Sequence, residues 1–190
     1  MSRSKTFLTL VAATLSSALP IALIASASGV APARTGGFGE MTCQQCHWEN
    51  PINEPSGGLR ITGIPDAYTP GEQYLITVTV ARAGVGRAGF QLSAREDGIN
   101  MNSGSDAGAL RPLDAFVERA QDDAKRVTYL QHTRAGTELT IPGTASWRFE
   151  WTAPDTAIPV VFHAAANAAN DDASPLGDFI YTAVARTIPQ

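Results

Sequence analysis

Trp147, Phe149 and Trp151 alternate with Arg148 and Glu150, so one face of a strand carries three large rings and the other carries charge. A side-chain period of two marks a β-strand with one buried face, and the rings place the heaviest part of the core there. The pattern recurs along the chain. Residues 59–64 alternate and stop at Pro65, and residues 74–81 set Tyr74, Ile76, Val78 and Val80 against Leu75, Thr77 and Thr79. Residues 87–95 alternate Phe90 and Leu92 with Gly89, Gln91 and Ser93, and residues 127–133, 146–152, 160–166 and 179–186 continue the series. About seven short strands separated by turns predict an all-β chain, folded as an antiparallel β-sandwich. Between them, Pro70 presets a turn at residues 68–72, residues 97–108 form a polar, Gly-rich loop, and residues 114–124 suggest one or two helical turns with a thin apolar stripe. A hydrophobic fraction of 44% against 17% charged residues supports a real core, and Gly 17 with Pro 12 favours strands and turns over helices.

The strands occupy residues 59–190, and two segments precede them. Residues 1–27 read as a secretory signal peptide: Arg3 and Lys5 start it, an apolar run follows, and Ala25-Ser26-Ala27 offers small residues to a peptidase. Cleavage after Ala31 or Ala33 is also open. Pro20 and the many small residues make the run a poor membrane span, so no span is expected after cleavage. Residues 28–58 form a linker arm, with residues 28–40 rich in Gly, Ala and Pro and expected to be mobile. The net charge is -4 with no Lys/Arg cluster, which argues against nucleic acid or an anionic membrane surface as partner.

The arm contains both cysteines of the chain, in Cys43-Gln44-Gln45-Cys46-His47. This is the attachment signature of c-type haem. Each thiol adds across one porphyrin vinyl group, the two intervening residues let both sulfurs reach, and His47 falls under the iron as proximal ligand. A Cys43–Cys46 disulfide is the competing reading, disfavoured because so small a loop removes little chain entropy and is strained. A structural zinc site needs four ligands where this motif offers three. Export supports haem, since c-type haem is attached outside the bacterial inner membrane.

Three further stretches carry a resemblance. Residues 86–94 (GRAGFQLSA), 129–133 (YLQHT) and 147–154 (WRFEWTAP) look like landmarks of Reelin-type (reeler) domains, and Asn167-Ala168-Ala169-Asn170 with residues 177–181 (GDFIY) resembles the bacterial branch named choice-of-anchor V. In that branch a cysteine pair and histidine precede the sandwich, as here. The resemblance covers about residues 36 to 186. It implies an immunoglobulin-like sandwich on the exported side of the membrane, periplasmic or secreted, and implies no particular activity. The branch usually carries a C-terminal sorting anchor, whereas this sequence ends at Gln190 directly after its last expected strand.

A single covalent haem c would leave a sixth iron position. His132, which closes a strand and matches the reeler histidine, is the first candidate for distal ligand, although haem-free reeler domains share it. His163 is the second; Met101 is possible in sequence terms but unpositioned, and Met41 lies too close to Cys43. Bis-histidine ligation would give a low-potential electron carrier. Trp48 is expected to cover a haem edge or to staple the arm to the sandwich. The oxygen-rich residues 167–172 with Asp178 match no calcium-loop spacing, so calcium is not expected there. No hydrolase nucleophile motif occurs, and the chain is read as a carrier and not an enzyme. Two functions follow: an exported monohaem c-type protein passing electrons to a redox partner or neighbouring haem protein, or a haem-free extracellular binding or adhesion sandwich with a Cys43–Cys46 disulfide. Self-assembly is left open by the sequence.

Overall fold

The computed structural model describes residues 28–98 and 104–190. The expected signal peptide and Met101 lie outside the described residues. The described residues form ten strands: β1 (Gly57–Thr62), β2 (Ala67–Tyr68), β3 (Gln73–Arg82), β4 (Arg87–Glu96), β5 (Ala109–Pro112), β6 (Val117–Asp122), β7 (Val127–His132), β8 (Thr144–Thr152), β9 (Val160–Ala169) and β10 (Phe179–Pro189). A four-stranded sheet has the order β1-β3-β8-β5, and a six-stranded sheet the order β2-β10-β9-β4-β7-β6. All pairings are antiparallel except β2 with β10. Among the described residues no helix is long and apolar enough to cross a membrane.

The aromatic alternation places the core as the sequence requires. Trp147, Phe149 and Trp151 are at most 2% exposed. Trp151 packs edge-on against Tyr68 and Phe162 from the opposing sheet, and Phe90 stacks on Trp147 at 4.5 Å. The indole nitrogens are both satisfied, Trp147 donating to the Gly136 carbonyl and Trp151 to that of Ala107, so burying these rings strands no donor.

Two expectations fail, each for a physical reason. The stretch 114–124 is not helical: Val117–Asp122 is the edge strand β6, paired with β7. Of its six residues only Val117 is buried, since an edge strand meets water on most of its surface and carries the charge that discourages further pairing. Residues 28–40 are not a mobile linker either. They lie on the outer face of the six-stranded sheet, where Thr35 is 1% exposed and the Glu40 side chain likewise 1%. The outward-facing residues of β4, Gln91, Ser93 and Arg95, are therefore buried as deeply as its core-facing ones. Gln91 Oε1 accepts the Arg34 N–H at 2.7 Å, and Glu40 accepts from Arg95, from Tyr129 at 2.6 Å and from Thr35 at 2.6 Å. An arm held by buried polar side chains looks like a linker in composition because its anchors lie far away in sequence.

Candidate functional site

The arm brings the cysteine motif to one end of the six-stranded sheet. Thr42 caps a single 3-10 turn, Cys43–Gln45, its hydroxyl accepting the Gln44 N–H at 3.2 Å. The Cys43 carbonyl accepts the N–H groups of both Cys46 and His47, which fixes the two sulfurs and the imidazole on one short coil of backbone. The loop between β9 and β10 clamps this coil. Glu49 accepts the Gly177 N–H at 2.6 Å, Asn50 donates to the Asp178 carbonyl at 2.9 Å, and Gln44 donates to the Asn50 carbonyl at 3.0 Å.

His47 meets a buried carboxyl group. Its Nδ1 lies 2.7 Å from Asp178 Oδ2, and the Asp178 side chain is 1% exposed. Asn167, at the end of β9, donates to the same oxygen at 2.8 Å, and the Asn170 N–H reaches Oδ1 at 3.1 Å. A neutral imidazole that gives its proton at Nδ1 keeps a lone pair on Nε2. That is the arrangement metal-bound histidines show, with the second nitrogen tied to a carboxylate. In the sequence Asp178 belongs to an oxygen-rich Asn/Asp cluster that matches no calcium-loop spacing; its burial, just ahead of β10, carries the signal that spacing does not. In the rest of that cluster Asn170 donates to Asp172, Asp172 accepts the Ser174 N–H, and Asp171 pairs with Arg87 of β4.

Cys43 and Cys46 are free thiols, so the alternative expectation of a Cys43–Cys46 disulfide is not met. Burial pushes the Cys43 thiol up to about 12, with Arg34 opposing only in part. A Cys43 thiol held neutral is a poor redox nucleophile. Among the described residues no group of three or more His, Cys, Asp or Glu side chains is arranged to hold a metal ion unaided.

A cavity of about 450 Å³ opens beside the motif, within the size range of small-molecule and cofactor pockets. Cys43, Cys46 and His47 line it from the arm, Ala88, Gly89 and Phe90 from β4, and Asn167 and Ala169 from β9. His132 lines it too, together with Arg34, Arg87 and Arg134. His132 is 7% exposed, and burial holds its ring well below the ordinary imidazole value. Its Nδ1 accepts the Phe90 N–H at 3.0 Å and stands 3.2 Å from the Phe90 carbonyl oxygen. The ring thus takes over where the β4–β7 ladder, which pairs Gln91 with Gln131 and Leu92 with Leu130, runs out.

The other sequence candidates fall elsewhere. His163 lies mid-strand on β9 under the arm, edge-on to Phe38 at 5.4 Å, and does not line this cavity. Met41 and Trp48 are exposed at 53% and 52%. The structure therefore brings His132 to the cysteine motif and leaves His163 apart.

No family model matches the chain, and no curated protein does. Among solved structures it is similar to the human F-spondin reeler domain, at 21% identity over 74% of this chain and 95% of that one, with a TM-score of 0.47. A second structure of the F-spondin Reelin-N domain gives 20% identity over 77% and 96%, with a TM-score of 0.47. A cohesin module from a Clostridium perfringens family 33 glycoside hydrolase gives 10% identity over 71% and 97%, also at 0.47. The two-sheet architecture rests on the strand pairing of this chain itself.

Proposed function

We propose that this chain is an exported c-type haem protein, periplasmic or secreted, in which a Reelin-like sandwich of the choice-of-anchor V kind carries one covalent haem and passes electrons to a redox partner or a neighbouring haem protein. The observation that carries the reading is the convergence of four groups on one cavity: two reduced thiols, an imidazole whose Nδ1 faces a carboxylate, and a second imidazole from β7.

The donor set fits the group. Cys43 and Cys46 would hold the porphyrin edge through thioethers, and His47 would offer Nε2 to the iron. His132 would supply the opposite ligand. For that the ring must give up the Phe90 N–H that its Nδ1 accepts and instead donate an Nδ1 proton to the Phe90 carbonyl 3.2 Å away, which leaves the lone pair on Nε2. The lining balances Arg34, Arg87 and Arg134 against Asp171, Asp172 and Asp178, with Arg87 paired to Asp171, so Arg34 and Arg134 are the cations that would meet the two carboxylates of a haem. When bound, the group supplies a ferric/ferrous couple, and two imidazole ligands favour a low potential. The exposed Trp48 beside the motif offers contact surface to a partner.

The test is export of the full chain in a bacterial host with haem-attachment machinery, followed by intact mass and oxidised and reduced absorption spectra. The expected product is red, heavier than the mature polypeptide by one haem, and low-spin. A colourless product at the mass of the bare polypeptide would overturn the proposal and leave a haem-free binding sandwich.

A further inference from the structure

We propose that Asp178 is a positioning residue that sets the electron donation of the proximal imidazole, holding the iron toward its ferric state; this rests on the haem reading above. An aspartate is rarely fully buried unless it is paired. Asp178 is 2% exposed and all its side-chain partners are donors: His47 Nδ1 at 2.7 Å, Asn167 Nδ2 at 2.8 Å and the Asn170 N–H at 3.1 Å. Oxygens that only accept are those of a carboxylate. A carboxylate drawing on the Nδ1 proton raises the basicity of Nε2, the nitrogen a metal would take in place of its 3.4 Å contact with Asn167 Nδ2. A more basic ligand stabilises the higher oxidation state, so the potential falls.

Asn167 tempers this. It donates to Oδ2, the same oxygen that His47 contacts, and so draws off part of the charge the imidazole would otherwise feel. The pair therefore acts in opposition: the carboxylate pushes electron density toward the metal, and the amide moderates the push. General damage to the site would move both substitutions in one direction. The proposed role moves them in opposite directions.

The experiment is a redox titration of the haem-loaded full-length protein, wild type beside Asp178→Asn and Asn167→Ala. Asp178→Asn is expected to raise the midpoint by about 59 mV or more, a tenfold change in the ferric/ferrous constant for one electron, and Asn167→Ala to lower it. An unchanged or lowered midpoint in an Asp178→Asn protein that keeps its covalent haem and low-spin spectrum would overturn the inference. Should Asp178→Asn fail to accumulate, Asn167→Ala decides: a fall supports the role, and no change or a rise overturns it. A second readout needs no haem. In a Cys43→Ser/Cys46→Ser chain, nitrogen NMR of His47 should show the proton on Nδ1, and a proton on Nε2 would overturn the role. A wild-type chain that never acquires haem sinks the parent reading, and that is seen before any potential is measured.

Discussion

The His132 ring occupies the space that a side chain on Gly89 would fill: a Cβ there would stand 2.6 Å from Cε1 and 2.9 Å from each ring nitrogen. Strand β4 is therefore bare where β7 delivers its last side chain. Gly89→Ala should displace the ring and break its hydrogen bond to the Phe90 N–H. The expected cost is about 1–3 kcal/mol, the usual range for overpacking, read by chemical denaturation. In the haem-loaded protein the same change should weaken the low-spin bands while the covalent haem mass stays unchanged. Full retention of those bands would mean that His132 does not ligate.

His132 and His163 are separated by a direct comparison. The His163 ring lies beneath Gly37 and Phe38, on the sheet face that the arm covers, and away from the motif cavity. His132→Ala should convert the absorption spectrum to a high-spin or water-ligated form, and His163→Ala should leave it low-spin. The reverse result would place the distal ligand under the arm, against the cavity geometry.

Much of the fold was legible because burial leaves a period. The strands β1, β3, β4 and β8 show alternation, β7, β9 and β10 read as short strands between turns, and the structure moves the expected ends of these seven by at most three residues. The strands that escaped notice are β2, β5 and β6, all at sheet edges, where side chains need not alternate. The cysteine motif was legible as chemistry, since covalent attachment demands fixed spacing. Asp178 was not, because its partners His47 and Asn167 lie far from it along the chain and only the strand pairing unites them. The docking of residues 28–40 was hidden for the same reason: Glu40 announces nothing until Arg95 and Tyr129 are placed opposite.

Acidification should weaken the haem-free chain in two stages. Burial lowers the pKa of His132 below 6.5, and burial, then Arg186 and Arg95, lower that of His163. Below about pH 6.5 the unfolded chain takes up protons that the folded chain refuses, so stability falls as pH drops from there to the depressed folded values. A Cys43→Ser/Cys46→Ser chain should show a declining unfolding free energy over that window in denaturant titrations at stepped pH. Adding His132→Phe should flatten part of the slope. An identical slope would mean that His132 protonates equally in both states.

The second stage belongs to Glu40, which also governs the arm. Burial works against its charged form, but hydrogen bonds from Thr35, Tyr129 and Arg95 outweigh it and hold the carboxyl below its ordinary 4.5. A depressed folded pKa contributes stability that is present above the unfolded value and is lost as pH falls through the folded one, so this stage begins below about pH 4.5. Glu40→Ala removes the anion and leaves the Arg95 side chain, 3% exposed, without its counter-charge. Breaking a buried pair from one side costs about 3–5 kcal/mol. Because Glu40 stands three residues before Cys43, losing it should also loosen the segment that delivers the motif to the sheet. Limited proteolysis of Glu40→Ala should cut within residues 28–40 faster than in wild type, under conditions where the sandwich stays intact. Replacing both partners, Glu40→Met with Arg95→Met, should recover much of the stability, since no orphaned charge remains. If the single and double variants lose the same stability, the pair does not hold the arm, and packing of Thr35 and Gly37 against the sheet must do so instead.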